Sequence, residues 1–325
     1  MLKRKFIPAL LCLTMTAPFA AGCAESSVSP KSSDKISVVC TIFPQYDWAK
    51  QVIGDNDNID LTLLVDNGTD FHSYQPGTDD IVTISTCDVL VYIGGTADSW
   101  IEDALANSAN PDMVKLNLTE IMGGSLKTET CINGEEEHDH DHGHEEAAYD
   151  EHVWLSLKNA MLFTNAISSA MCTVDGENAE TYQANAQSYF TKLQETDAEF
   201  TETVQNAKRQ VLLFGDRFPF RYLTDDYGLT CYAAFPGCSA ETEASFETIV
   251  FLAGKMDEHQ LPAVCTIDGS NSNIADAVIS NTADKNQKIL KLNSMQSVRR
   301  EDIDSNITYL SIMEENLAVL SEALN

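Results

Sequence analysis

The stretch Ile36-Ser37-Val38-Val39-Cys40-Thr41-Ile42, followed at once by Phe43-Pro44, decides the fold. A short apolar, β-branched run reads as a buried strand, and a proline just beyond it suits the first turn of a helix. Amphipathic residues carry that helix to Ile53. The alternation then repeats, with strands expected at Ile59–Val65, Asp88–Ile93 (DVLVYI) and Val114–Leu118. Helical segments are expected to close at Thr86 and to run from Trp100 to Ala106. Strands alternating with helices indicate a parallel α/β sheet.

From Thr119 to Glu151 the alternation stops and the chain is polar. Ser156 then reads as the N-cap of a helix over Leu157–Met171, with Ala160, Phe163, Ile167 and Met171 on one face. Beyond Asp175-Gly176, Tyr182, Ala186, Tyr189, Leu193, Phe200, Val204 and Ala207 keep helical spacing. A helix of about 30 residues is roughly 45 Å long, more than one small lobe needs. A second series follows, with strands at Val211–Phe214, Leu229–Ala233, Ala263–Ile267 and Lys288–Leu292. Its helices are expected over Phe220–Tyr227, Ser245–Glu258, Ile274–Ala283 and Ile303–Leu324. The expected architecture is two parallel-sheet α/β lobes, 36–175 and 210–325, bridged by one long helix over 176–209. A cleft between lobes is where ligands commonly bind.

Charge narrows the ligand. The 325 residues carry 50 acids against 20 bases, a net charge of −30, and 43 % are hydrophobic. A surface that acidic repels phosphate backbones and attracts cations, which excludes nucleic acid as a partner. At the N-terminus, the basic residues Lys3, Arg4 and Lys5 precede a short apolar stretch, Phe6 to Ala20, and then Ala21-Gly22-Cys23. That stretch is too short for a comfortable spanning helix, so residues 1–23 read as an export signal. Small residues directly before Cys23 resemble a bacterial lipobox, which implies lipid attachment at Cys23 and a polar tether over 24–35. Seven further cysteines include no C-x-x-C pair, and Cys40, Cys231 and Cys265 read as buried small hydrophobes within strands.

Histidines supply the chemistry. The segment Gly134–His152, GEEEHDHDHGHEEAAYDEH, holds five histidines and nine acids in nineteen residues. Neutral imidazole is a good ligand for late first-row ions, and so repetitive a segment suits weak, multi-ion collection at His138, His140, His142 and His144. His72, in GTDFHSYQP after the second strand, and His152, in DEHVWL ahead of a helix, lie at loop-to-helix junctions where α/β ligands bind. His259 has no such context. Metallohydrolase chemistry would need an open metal position and a placed base, and neither H-E-x-x-H nor G-x-S-x-G occurs.

GTDFHSYQP and DEHVWLSLKNA (residues 150–160) resemble the two first-lobe ligand motifs of the metal-binding receptors of bacterial zinc and manganese ABC importers. The resemblance runs from Ile36 to Asn325. It implies two α/β lobes joined by a rigid helix, a metal between them, and ligand roles for His72 and His152. The second lobe departs from the pattern. The family's third ligand is a His in His-Asp-x-Phe, where this chain has Gly215-Asp216-Arg217-Phe218; the fourth is an Asp, where it has Asn293. Asp216 is then the nearest carboxylate, with Glu241, Glu243 and Asp268 as further candidates or as turn and cap residues. The His-rich loop implies Zn2+, while loss of an imidazole leaves Mn2+ or Fe2+ open. The expected protein is a monomeric receptor, not an enzyme, lipid-anchored on the extracytoplasmic face of the membrane. It would bind a divalent metal and hand it to an ABC permease and its ATPase. The alternative is a metal-buffering or adhesive surface lipoprotein with a degenerate cleft.

Overall fold

The structure, a computed structural model, describes residues 35–130, 132, 149–239, 241 and 243–325. The signal, most of the tether, Cys23 and the histidines at 138, 140, 142 and 144 lie outside the described residues. In the first lobe β1 (Ile36–Cys40), α1 (Phe43–Ile53), β2 (Ile59–Leu63), α2 (Thr78–Thr86), β3 (Val89–Tyr92), α3 (Trp100–Ala106) and β4 (Val114–Asn117) alternate as expected. The four strands form one parallel sheet in the order β2-β1-β3-β4. Val39 of β1 pairs with Thr62 on one side and Leu90 on the other. All four residues of β3 are buried, because helices cover both faces of the sheet.

A short α4 (Leu118–Met122) occupies the start of the segment read as irregular. Its signal is the pair Asn117 and Glu120, with the Asn side chain accepting the Glu120 N–H at 3.0 Å. Ser156 caps α5 (Leu157–Val174) as expected, its hydroxyl accepting the Asn159 N–H at 3.1 Å. The long α6 (Ala179–Asn206) follows with 28 residues.

The second lobe repeats the plan with β5 (Val211–Phe218), α7 (Arg221–Tyr227), β6 (Thr230–Pro236), α8 (Phe246–His259), β7 (Ala263–Ile267), α9 (Asn273–Asn281) and β8 (Lys288–Leu292). Its parallel sheet has the order β6-β5-β7-β8, the same arrangement as the first. β5 runs beyond the expected Phe214 through a register shift between Phe214 and Arg217. The C-terminal helix expected over Ile303–Leu324 is two pieces, α10 (Arg300–Asp304) and α11 (Tyr309–Ala323). Asn306 adopts a left-handed φ of 66°, and Thr308 starts a new helix by accepting the Ser311 N–H at 3.1 Å.

Helix α6 serves both lobes. Its Tyr182 and Tyr189 hydroxyls donate to Asp175 (2.5 Å) and to Asp47 of α1 (3.4 Å). Toward its other end, Phe200 stacks on Tyr227 of α7, whose hydroxyl donates to Asp197 at 2.8 Å. Helix α11 crosses back to the first lobe, where the Tyr309 ring lies edge-on to Trp48 at 5.2 Å and its N–H donates to Asp47. Trp48, Phe163, Phe200, Phe214 and Tyr309 thus belong to one buried core, and the described residues form one compact unit. Among the described residues no helix is long and apolar enough to cross a membrane. Cys40 and Cys265 are fully buried and Cys231 is half-buried, all three as free thiols.

Candidate metal centre

His72 lies in a 3-10 turn, Phe71–Ser73, beyond the carboxyl end of β2. Asp70 starts the turn by accepting the His72 N–H at 2.9 Å, while buried Phe71 fixes it to the second lobe by donating its N–H to Gln296 O at 3.0 Å. His152 opens a second 3-10 turn, Val153–Leu155, ahead of α5. There Asp150 accepts both the His152 N–H and the imidazole Nδ1–H, each at 2.9 Å. Asp-x-His is therefore one local device used twice: in both places the carboxylate folds the turn, and at His152 it also aims the ring. With Nδ1 donating to Asp150, Nε2 of His152 keeps its lone pair. His152 is fully buried and that Nε2 has no hydrogen-bond partner.

Neither ring nitrogen of His72 has a hydrogen-bond partner, and its Nδ1 stands 3.5 Å from Asp70. The two imidazoles stack with centroids 5.1 Å apart and planes 18° from parallel. A third group joins them from the second lobe. Cys238, just past the carboxyl end of β6, places its Sγ so that one ligand atom each from His72, His152 and Cys238 lie within 4.8 Å of one another. Its backbone N–H donates to Glu129 at 2.6 Å. Burial, then Glu129, Glu151 and Asp150, push the Cys238 thiol up, so the metal-free sulfur keeps its proton. Gly237 makes the approach feasible: a Cβ there would lie 2.8 Å from His152 Cε1 and 2.9 Å from Phe218 O.

The residues expected to supply second-lobe carboxylates are used otherwise. Asp216 accepts the backbone N–H of Arg217 at 2.8 Å and of Ile267 at 3.2 Å, and it is not in the clustered trio. Asp268 accepts the Ser294 N–H and hydroxyl, both at 2.6 Å, and the Ser297 hydroxyl at 2.9 Å. Asn293 accepts the Met295 N–H with its side chain and binds Asn316 of α11 through its backbone. Glu241 and Glu243 are exposed. Position 215 has no room for any side chain, because a Cβ would stand 2.6 Å from Ala275 Cα in α9. His259 packs its ring against Tyr232 at 5.7 Å, away from the trio.

Beside the imidazoles is an open interlobe cavity of about 480 Å³, lined by Asp70 and Ser73 on one side and Asp216, Arg217 and Glu241 on the other. Arg217 crosses it to bind Asp70 at 2.7 Å. Burial alone would push the Asp70 carboxyl up, but His72 and the Arg217 guanidinium outweigh it and hold Asp70 well below the usual carboxylate range. The site thus has two imidazoles with unpartnered ring nitrogens and a thiol at its centre, each imidazole beside a carboxylate. That is the donor chemistry of a zinc-type site with room for a further ligand.

The family model described as zinc-uptake complex component A, periplasmic (ZnuA), matches residues 38–323. The chain belongs to this family. The high-affinity zinc uptake system protein ZnuA of Bacillus subtilis is 29% identical over 313 residues, covering 94% of this chain and 93% of its own. The zinc-binding lipoprotein AdcA of Streptococcus pneumoniae strain R6 is 28% identical over 313 residues, of which this chain spans 60% of the length. Among solved structures, the metal-dependent lipoprotein YcdH from B. subtilis matches with a TM-score of 0.72 and 27% identity, covering 89% of this chain and 99% of that one. The Zn(II)-bound ZnuA-like domain of S. pneumoniae AdcA matches with a TM-score of 0.68 and 25% identity, over 89% of this chain and 99% of that one. The ZnuA family is one of solute-binding receptors, so the resemblance read from GTDFHSYQP and DEHVWL holds. Cys238 escaped the sequence reading. Its one signal was position, two residues beyond an apolar parallel strand.

Proposed function

We propose that this chain captures a divalent metal ion, zinc foremost, in the cleft between its lobes and delivers it to an ABC permease and its ATPase. The observation that carries this is the stacked pair His72 and His152, buried or nearly so, whose ligand nitrogens have no protein partner. An unpaired buried imidazole nitrogen costs free energy, and coordination repays it. The relatives' names, zinc uptake protein and zinc-binding lipoprotein, support zinc as the cargo. Capture and release need no covalent step, so the reading is a monomeric receptor and not an enzyme. In this reading Cys23 carries the lipid that holds the receptor on the extracytoplasmic face of the membrane. His138, His140, His142 and His144 then gather ions weakly at its surface, close in sequence to His152. Asp216 acts behind the site, fixing the end of β5.

Zinc titration of the wild type, of His72→Ala/His152→Ala and of a deletion of residues 135–146 tests the reading. One tight site should disappear in the double variant, and weaker sites should disappear in the deletion. Tight binding that survives the double variant would refute it.

A further inference from the structure

Two histidines leave a tetrahedral ion two ligands short, and position 215 cannot hold a side chain. We propose that Cys238, as a thiolate, is the third protein ligand of the captured ion and biases the site toward zinc over manganese. This rests on the receptor reading above.

Three observations converge on Cys238. The first is distance. Bond lengths of about 2.0–2.3 Å place ligand atoms of a tetrahedral zinc roughly 3.3–3.6 Å apart. The trio within 4.8 Å needs only side-chain adjustment to reach that. The second is the buried His152 Nε2, held by Asp150 through the opposite nitrogen and lacking any partner. The third is topology. β2 in the sheet order β2-β1-β3-β4 and β6 in the order β6-β5-β7-β8 occupy equivalent places, each beside the strand where the order reverses. His72 follows the carboxyl end of β2 and Cys238 that of β6, so the two lobes present one ligand each from corresponding strands. Gly237 keeps that approach open against His152.

Chemistry gives the selectivity. Thiolate favours zinc over manganese, which prefers carboxylate, carbonyl and water oxygens. One thiolate with two neutral imidazoles leaves the ion a single formal positive charge and one open position facing the cleft. That position admits water and gives a displacing group access when the ion is released.

Cobalt(II) and zinc titrations of the purified chain test the assignment. At one equivalent of cobalt, the wild type should show a sulfur-to-cobalt charge-transfer band in the near ultraviolet. Cys238→Ser and Cys238→Ala should lose that band and at least about tenfold in zinc affinity, since even outer-shell losses cost that much. Cys238→Asp should shift relative affinity toward manganese. Circular dichroism should show all three variants folded. A wild type that binds one zinc through His72 and His152 but gives no charge-transfer band overturns the proposal and leaves the receptor reading standing. A wild type without a tight site refutes both.

Discussion

Gly237 has no chemistry of its own, yet it decides how close Cys238 comes to His152. Gly237→Ala would place a methyl 2.8 Å from the His152 ring and 2.9 Å from the Phe218 carbonyl. The ring cannot simply turn away, because Asp150 holds its Nδ1 at 2.9 Å inside a buried pocket. The expected result is a fall in zinc affinity of about 10- to 100-fold, the size of effect that follows when a ligand's support is disturbed. Calorimetric titration checks it, with the unfolding midpoint of the metal-free chain measured alongside. At this scale two of the three clustered groups were legible. His72 and His152 sit in contiguous motifs in which the neighbouring Asp, Phe and Trp announce a rigid turn. Cys238 was not, because a ligand after a strand is recognised only once the strand order places that strand beside the other lobe. Nor could the sequence say that Gly215 lies against α9, since the close approach of Ala275 is a tertiary fact.

At the scale of elements, one buried carboxylate of the first lobe receives the start of helix α11. Asp47 of α1 accepts the Tyr309 N–H at 3.1 Å, the Tyr189 hydroxyl at 3.4 Å and the Gln51 amide at 3.4 Å. Three helices therefore meet on one buried side chain. Asp47→Ala should cost about 1–3 kcal/mol by leaving these donors unpaired, read as a shift in urea midpoint. Burial raises the Asp47 carboxyl despite the donors around it, so the folded chain holds that proton more tightly than the unfolded chain. Its stabilising contribution is therefore present in acid and is lost as pH rises through the folded value. Asp47→Asn cannot titrate and should remove that decline from a pH series of unfolding curves. Most of the elements were readable, since the eight strands among the described residues fall on apolar runs. The break between α10 and α11 was not, because the apolar spacing of Ile303, Ile307 and Leu310 continues across it while Thr308 starts a new helix. The long α6 was readable because its buried Tyr, Leu and Phe keep helical spacing through to Val204.

For the whole molecule, the decisive feature is that the lobes share their core. Trp154 donates its indole N–H to Ser294 O at 2.9 Å, Arg300 binds Asp66 at 2.6 Å, and Asn67 bridges to Arg299. Opening the cleft as two rigid bodies would break these contacts together with the Trp48–Tyr309 packing. Zinc should therefore tighten the His72, His152 and Cys238 side chains without closing the lobes like jaws. Small-angle scattering with and without zinc should give the same radius of gyration. A clear compaction on adding metal would show that the shared core yields and that α6 bends.

The same shared core constrains how the chain comes to be folded at all. Trp48 lies near the start of the described chain, and the ring that covers it, Tyr309, lies close to the end. Loop closure over so long a separation is entropically costly and slow, and its reward comes only when both partners exist. As the chain emerges during synthesis, the first sheet can pair while the apolar flank of α1 still waits for Tyr309, far along the sequence. A polypeptide built this way cannot finish its first lobe early. The face of α1 that Tyr309 covers gains its partner only when α11 docks.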